Sequence, residues 1–288
     1  MVVMNDASDI AAFPSHDGLL AYRDTGSGLP VVLLHAGFLD HTMFDELVPA
    51  LARRHRVIAP DARGHGRSAN AAVPFRQTDD LAALLRGLGT GPAVLVGTSM
   101  GAMIAVDTAL EHPDLVRALV ISGGGAGLPE CRDPWTLELE AEKAAAMAAG
   151  DIAGWVDAFA RIAAGPHRGL DEVDPEVVRR VKEMVRRTLA KHTADEQDHS
   201  VPVVGAAGRA KEIAVPVLAL NGALDSPDLI ASAADLAAAV PDGRTVTLDG
   251  AAHLPSMDRP EAFLHAVEDF LAEISQAAEV TGAAETAG

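Results

Sequence analysis

Short apolar segments alternate with helical segments along the first 125 residues of the chain. Residues 31–34, 56–59, 93–96 and 118–121 are almost wholly apolar and have the length of buried strands. Residues 43–54, 78–88 and a stretch ending near residue 111 place apolar side chains three or four positions apart, as on one helix face. Strands this apolar are covered on both faces, which is typical of parallel sheets. The alternation predicts an α/β fold with helices on both faces of a mostly parallel sheet.

The pattern changes after residue 125 and returns near residue 215. Residues 137–149, 152–163 and 175–191 read as helices, with no convincing strand between them. Strands are again predicted at 215–220 and 244–248, and a last helix at 260–274. We therefore divide the chain into a first core segment (1–128), a helical cap (129–208), a second core segment (209–274) and a flexible tail (275–288).

Composition excludes several functional classes. The 288 residues, 49% of them apolar, suffice for a sizeable core. The net charge of −18 would repel phosphate backbones and anionic membranes, which argues against nucleic-acid binding. The single cysteine, Cys131, excludes an internal disulfide and a cysteine-based metal cluster. The charge does not identify a ligand, and the oligomeric state stays open.

The start of the chain and its apolar runs indicate a location. The first ten residues carry neither a basic segment nor an apolar segment of the signal-peptide type. No apolar run approaches the roughly 20 residues of a transmembrane helix. We expect a cytoplasmic protein without a membrane partner.

The most informative segment is Gly97-x-Ser99-x-Gly101, which follows a predicted buried strand and precedes a predicted helix. In that context the serine lies on a sharp turn, and the glycines allow the strand and the helix to approach closely. The helix N-terminus then presents amide N–H groups beside the serine oxygen. The alternative is an ordinary turn in which Ser99 only caps the helix.

With this turn, the chain resembles the α/β-hydrolase superfamily over residues 13–272. Four other segments carry the resemblance: His-Ala-Gly-Phe at 35–38, Asp-Ala-Arg-Gly-His-Gly-Arg-Ser at 61–68, Asn-Gly-Ala-Leu-Asp at 221–225 and Gly-Ala-Ala-His at 250–253. The chain order of serine, acid and histidine is also the one that this fold uses. We expect His35 to brace its loop and residues 61–68 to form a structural turn.

The resemblance implies a catalytic triad. Ser99 is the nucleophile, His253 the base that activates it, and Asp225 the acid that orients the imidazole. Asp228 and Asp249 are rival acids. We interpret Asp228 as a charge at a helix N-terminus and Asp249 as a strand-end residue, since Asp225 lies directly beyond its strand.

The resemblance also implies an oxyanion hole. Its donors are the backbone N–H groups of Met100 and of Gly37, with Phe38 as an alternative to Gly37. Ala36 stands where relatives usually have glycine. Phe38, Trp135 and Trp155 are candidates for contacting substrate, and the cap residues Arg161 and Arg168 are further candidates. No metal or organic cofactor is implied.

A serine at the nucleophile position favours acyl transfer to water. Haloalkane dehalogenases and epoxide hydrolases of this superfamily place aspartate there. The chain is therefore expected to hydrolyse a small-molecule ester or lactone through an acyl-enzyme. Carbon–carbon bond hydrolysis of a vinylogous diketone is an alternative, because residues 97–101 and 122–125 resemble such hydrolases. A non-catalytic small-ligand receptor and an acyltransferase also stay open.

Overall fold

The computed structural model describes residues 10–193 and 195–286, with side chains up to residue 276. Most of the segment that bears on a signal peptide, and the last two residues of the predicted tail, lie outside the described residues. No helix among the described residues is both long and apolar enough to cross a membrane.

A single sheet of eight strands forms the centre of the described chain. Its strand order is β1-β2-β4-β3-β5-β6-β7-β8. The pairs β1/β2 and β2/β4 are antiparallel, and the others are parallel. The strands are β1 (Ile10–Ser15), β2 (Gly18–Gly26), β3 (Leu29–Leu34), β4 (His55–Pro60), β5 (Ala93–Thr98), β6 (Val116–Ser122), β7 (Val217–Gly222) and β8 (Gly243–Leu248).

Nine α-helices flank the sheet or follow it within the described residues. They are α1 (Val48–Leu51), α2 (Gln77–Gly87), α3 (Met100–Glu111), α4 (Pro134–Ala148), α5 (Ile152–Ala160), α6 (Pro175–Leu189), α7 (Pro227–Ala239), α8 (Pro255–Asp258) and α9 (Pro260–Thr286). The mostly parallel sheet with helices confirms the predicted fold class.

The central strand β5 shows why the apolar segments form this sheet. All six of its residues are buried. Val94 and Val96 belong to the core on one face of the sheet, whereas Ala93 and Leu95 belong to the core on the other face. Each large aliphatic side chain buried in this way stabilises the fold by about 1.5–3 kcal/mol. Because β5 is parallel to its neighbours β3 and β6, the three strands end at the same edge of the sheet.

Three parts of the chain differ from the sequence-based expectations. The hairpin β1–β2 lies at the edge of the sheet, and its exposed positions hide it from a search for apolar runs. Residues 43–54 form a 3₁₀ turn (His41–Phe44) and the short helix α1, because Pro49 is tolerated only in a first helical turn. The last helix continues past Ile274 to Thr286, over most of the segment for which a flexible tail was expected. The alanines of this segment favour helix.

Helices α4, α5 and α6 follow β6 and precede β7, where helices were predicted. The buried face of α6 contributes Val181 and Val185 to the core that also contains strand residues of β3 and β5. Just after the end of α6, Lys191 Nζ donates to three backbone carbonyls of the 61–68 turn. These contacts hold this helical segment against the carboxyl end of the sheet.

Candidate active site

Ser99 occupies a strained turn between β5 and α3. Its φ of 55° and ψ of −116° lie in a backbone region that residues other than glycine rarely adopt. Among the described residues, Phe38 is the one other non-glycine residue with positive φ. The Ser99 N–H donates to Ser122 O at 2.8 Å, which ties the turn to the end of β6. Such strain persists where the surrounding structure enforces it, and it is concentrated at functional sites.

The glycines on either side of Ser99 allow the close approach that the motif predicted. A Cβ at Gly97 would lie 2.2 Å from Gly101 O, and a Cβ at Gly101 would lie 2.0 Å from Leu34 O. Ser99 precedes the first residue of α3, but its side chain makes no capping hydrogen bond. The missing bond argues against the alternative that Ser99 serves only as a helix cap.

His253 and Asp225 form a buried pair. His253 Nδ1 lies 2.9 Å from Asp225 Oδ2, and the two residues are 7% and 2% exposed. Asp225 Oδ1 also accepts the Ser226 N–H at 2.7 Å. Burial lowers the pKa of His253, but the charge of Asp225 and its hydrogen bond outweigh burial, so the pKa is raised. When Nδ1–H donates to Asp225, Nε2 is left as the basic nitrogen.

Two glycines after β6 lie between this pair and the serine turn. A Cβ at Gly123 would lie 2.6 Å from His253 Cε1 and 3.2 Å from Asp225 Oδ2. A Cβ at Gly124 would lie 3.0 Å from Ser99 O. Gly123 has a φ of 59°, and its N–H donates to Asn221 Oδ1 at 3.1 Å. This steric role was not predicted from the sequence, although a glycine run directly after a buried strand is a signal for it.

The Ser99 hydroxyl makes no hydrogen bond to His253 in the part of the chain that the structure describes. Catalytic hydrogen bonds commonly tighten only when substrate is bound. The backbone nevertheless brings Ser99, Asp225 and His253 to the same end of the sheet, around Gly123.

The loop after β3 lies beside the first residue of α3. A Cβ built on Gly37 would lie 3.8 Å from Met100 Cβ and 3.9 Å from Met100 Sδ. Phe38 has a φ of 61°, so the loop turns sharply after Gly37. The Met100 N–H belongs to the first turn of α3, where amides have no acceptor within the helix. Two backbone segments with available amides thus meet next to Ser99.

His35 braces this loop, as predicted. The Ala62 N–H donates to His35 Nε2 at 2.9 Å, so the ring is neutral and donates from Nδ1 to Ala36 O, also at 2.9 Å. Burial lowers the pKa of His35, which favours this neutral form. His35 therefore joins the loops after β3 and β4.

Residues 61–68 form a hydrogen-bonded turn, also as predicted. Asp61 accepts the His41 N–H at 2.9 Å and lies 2.7 Å from His41 Nδ1, and it accepts the Arg67 N–H at 2.8 Å. Asp40, His41 and Asp61 are close enough to one another to hold a metal ion. Asp40 is already bonded to Arg187, however, and Asp61 to His41. We interpret the cluster as structural.

Two of the three candidate substrate contacts lie together. The ring centroids of Phe38 and Trp155 are 4.7 Å apart, and Trp155 stacks on Phe159 at 5.3 Å. Trp155 is only 6% exposed, so it forms the buried wall of this aromatic cluster. Trp135 is half-buried in the first turn of α4 and is not a member of the cluster.

The rival acid Asp228 and the two candidate arginines of the predicted cap have structural partners. Asp228 accepts the backbone N–H groups of Arg132 and Asp133, at the N-terminus of α7. Arg168 donates to Ala163 O, Ala164 O and Gly250 O and pairs with Asp258 at 2.5 Å. Arg161 pairs with Glu142 at 2.5 Å. The expectation that Arg168 contacts substrate is therefore wrong, because its guanidinium is occupied by protein acceptors.

The chain is similar in sequence to known proteins over most of its length. A family model described as alpha/beta hydrolase fold matches residues 30–260. A Mycobacterium tuberculosis protein, BpoC, that carries a non-heme bromoperoxidase name is 32% identical over 88% of this chain and 98% of its own. The pimeloyl-[acyl-carrier protein] methyl ester esterase of Aeromonas hydrophila is 28% identical over 85% of this chain and 96% of its own.

A solved structure is similar over nearly the whole chain. The structure of Est816, described as an N-acyl homoserine lactone degrading enzyme, has a TM-score of 0.72 and 26% identity, and it covers 90% of this chain and 100% of its own.

Proposed function

Because the chain belongs to the alpha/beta hydrolase fold family, we propose that it is a serine hydrolase that cleaves a carboxylic ester or a lactone of a small molecule. The observation that carries the proposal is the strained Ser99 turn, separated from the buried Asp225–His253 pair by Gly123 and Gly124. This geometry supports a mechanism in which a serine nucleophile uses a base that a buried acid orients.

The reaction proceeds in two halves. Ser99 Oγ attacks the carbonyl carbon while His253 Nε2 takes the hydroxyl proton, and the negative Asp225 stabilises the imidazolium. The tetrahedral intermediate expels the alcohol oxygen, which receives that proton from His253. Water, deprotonated by the same nitrogen, then attacks the acyl-serine. The second tetrahedral intermediate releases the acid, and His253 returns the proton to Ser99 Oγ. The steps need no metal or organic cofactor.

The loop after β3 and the start of α3 supply the oxyanion hole in this proposal. The N–H groups of Met100 and Gly37 bind the developing negative charge, and the positive end of the α3 dipole adds to them. Each donor of this kind stabilises the transition state by roughly 3–4 kcal/mol. Ala36 lies within the loop without displacing Gly37 from Met100.

Substrate access in this proposal is governed by the helices between β6 and β7. We assign α4, α5 and α6 to a cap over the carboxyl end of the sheet, with Phe38 and Trp155 in the wall of the pocket. The esterase and lactone-degrading relatives support hydrolysis of a carbonyl ester bond. The glycine run at 123–125 has a steric role next to His253, so the 122–125 segment does not by itself favour carbon–carbon bond hydrolysis.

Active-site labelling tests the proposal. A serine-directed fluorophosphonate should label the native protein at Ser99, and peptide mass spectrometry should locate the adduct. Ser99→Ala should abolish labelling and lower the hydrolysis rate of a p-nitrophenyl ester by about 10⁴-fold or more. Ser256→Ala, which changes another buried serine close to His253 in the chain, should still be labelled.

The outcomes separate the candidate functions. Labelling that persists in Ser99→Ala would overturn the assignment of the nucleophile. A native protein that is neither labelled nor active on esters would favour the non-catalytic receptor. Turnover of vinylogous diketones but not of esters or lactones would favour the carbon–carbon bond hydrolase.

A further inference from the structure

Lys143 is a partly buried cation on the inner side of the proposed cap. Its Nζ lies 5.8 Å from the ring centroid of Trp155 and 5.6 Å from that of Phe159. Its side chain is 14% exposed, and it pairs at 2.7 Å with Glu140, whose side chain is 59% exposed. The ammonium is thus withdrawn from water onto aromatic faces, while its acidic partner stays in water.

The face of α4 that carries Lys143 points towards the catalytic acid loop. Thr136, seven residues earlier, lies on the same side of the helix because seven residues make almost two full turns. Thr136 Oγ1 donates to Ser226 Oγ at 3.1 Å, and Ser226 directly follows Asp225. Leu139, one turn after Thr136, is 2% exposed and continues this inner face.

The aromatic rings under Lys143 lead to the proposed oxyanion loop. Phe159 and Trp155 contact Phe38 at centroid distances of 5.5 Å and 4.7 Å, and Phe38 directly follows Gly37. The ammonium is also close enough to His253 for its charge to oppose protonation of the ring and so lower its pKa. The helix face and the rings therefore both place Lys143 beside the triad.

A cation in this position is costly without an anion to bind. Withdrawing an ammonium from water is unfavourable, and pairing with a solvent-exposed carboxylate returns little of that free energy. The net charge of −18 would also repel an anionic substrate unless a local cation offsets it.

We infer that Lys143 binds a carboxylate group carried by the substrate, so that the substrate is an anionic ester or lactone. This inference rests on the proposed function. Lys143 would hold the anion against the aromatic wall while Ser99 attacks the ester carbonyl. The substrate carboxylate would then take the place of Glu140 as the partner of the ammonium. Neutral esters would react at the same triad without this contact.

Two matched pairs of esters test the inference. In the first, the acyl group carries the charge: p-nitrophenyl hydrogen adipate against p-nitrophenyl hexanoate. In the second, the leaving group carries it: 4-acetoxybenzoate against phenyl acetate. We expect Lys143→Met to raise KM for the charged member of at least one pair by about 10- to 100-fold. The kcat/KM of the neutral members should change less than about threefold.

Three further variants separate binding from folding. Lys143→Arg keeps the charge and should retain most of the preference for the charged ester, whereas Lys143→Gln should lose it. Lys182→Met removes another cap lysine, which pairs with Asp157, and should leave both ester ratios unchanged. Circular dichroism melting should show each variant folded, because the lost Lys143 contacts are few.

The results distinguish the two proposals. If Lys143→Met changes charged and neutral esters alike, or changes neither, the inference is overturned while ester hydrolysis stands. If the native protein is not labelled at Ser99 and cleaves none of the four esters, the proposed function and the inference both fail.

Discussion

At the scale of single residues, the proposed chemistry depends on where side chains are absent as much as on where they are present. Ser99 adopts a positive φ of 55°, a strain of about 1–3 kcal/mol that the surrounding core holds in place. Gly123 leaves the space that His253 fills. The proposed nucleophile and its proposed base are therefore positioned by backbone segments that approach more closely than a side chain would permit.

Gly123→Ala should disable the site while leaving the fold in place. The added Cβ would lie 2.6 Å from His253 Cε1, so the imidazole must shift from its present position beside Asp225. We expect kcat on a neutral p-nitrophenyl ester to fall about 100-fold or more, since a displacement of about 1 Å is enough for such a loss.

Gly127→Ala is the matched control for that prediction. Gly127 also has positive φ, 76°, but a Cβ there would lie 3.9 Å from its nearest neighbour, Ala207 N. Both variants should lose about 1–2 kcal/mol of stability from backbone strain, measured by urea unfolding. Equal activity of the two variants would contradict the steric role of Gly123.

At the scale of elements, the helical segment between β6 and β7 is joined to the loops that carry the proposed triad. Asp133 caps α4 and accepts the Ser226 hydroxyl at 2.7 Å. Arg168 links the end of the helical pair α4–α5 to Gly250 O and Asp258. Asp258 Oδ2 also accepts the N–H of Ala252, which is the residue before His253. Movement of the proposed cap would therefore reach both the acid and the base.

Arg168→Met should destabilise the protein and disturb the histidine loop. The change leaves the Asp258 side chain, which is 5% exposed, without its cation. Removing one partner of a buried ion pair costs about 3–5 kcal/mol. We expect the free energy of urea unfolding to fall by nearly that amount. We also expect kcat to fall, because Asp258 accepts the N–H of Ala252 and so holds the residue before His253.

Arg161→Met provides the comparison on the same segment. Its pair with Glu142 is 32% and 43% exposed, so the loss should be below about 1 kcal/mol. If the free energy of unfolding falls by a similar amount in Arg168→Met and Arg161→Met, Arg168 does not stabilise the loop that carries His253.

At the scale of the whole molecule, the loops at the carboxyl end of the sheet depend on a buried ion pair. Burial raises the pKa of Asp61, but the hydrogen bond and charge of His41 outweigh it and lower the pKa to about 2. The pKa of His41 is raised by the same contact. The Asp61 carboxylate thus stabilises the folded state above about pH 4, and this stabilisation is lost as the pH falls towards 2.

Asp61→Asn should remove much of the stability loss between pH 4 and pH 2. The depressed pKa corresponds to a contribution on the order of 2 kcal/mol, counted once for the pair. The His41 side of the pair stabilises below about pH 6.5 and weakens as the pH rises through its raised pKa. The free energy of urea unfolding, measured at about pH 2, 4, 6 and 8, covers both the acid loss from Asp61 and the weakening as His41 loses its proton.

Asp24→Asn is the control for the acid limb. Asp24 pairs with Arg56 near the surface, with side chains 25% and 26% exposed, so its loss should be below about 1 kcal/mol. If the free energy of unfolding of Asp61→Asn falls between pH 4 and pH 2 as steeply as that of the native protein, the acid stability does not come from the Asp61–His41 pair.

The sequence by itself determined the α/β class, the strand-to-helix turn at Ser99 and the three residue types proposed for the triad. These features are local, because a buried strand, a glycine two positions from a serine and a strand-end aspartate are each visible within a few residues. The edge hairpin, the interrupted 43–54 segment and the extension of the last helix escaped the sequence analysis, since partial exposure and terminal packing leave weaker patterns.

The tertiary structure alone decided which residues meet. It placed Asp225, and not Asp228, against His253, and it engaged Arg168 with protein acceptors. It also turned Lys143 inward onto Trp155 and Phe159. Such contacts join residues up to 96 positions apart, and no periodicity along the chain encodes them. Packing of the sheet, its loops and α4 brings these side chains together, so the chemistry of the site belongs to the fold as a whole.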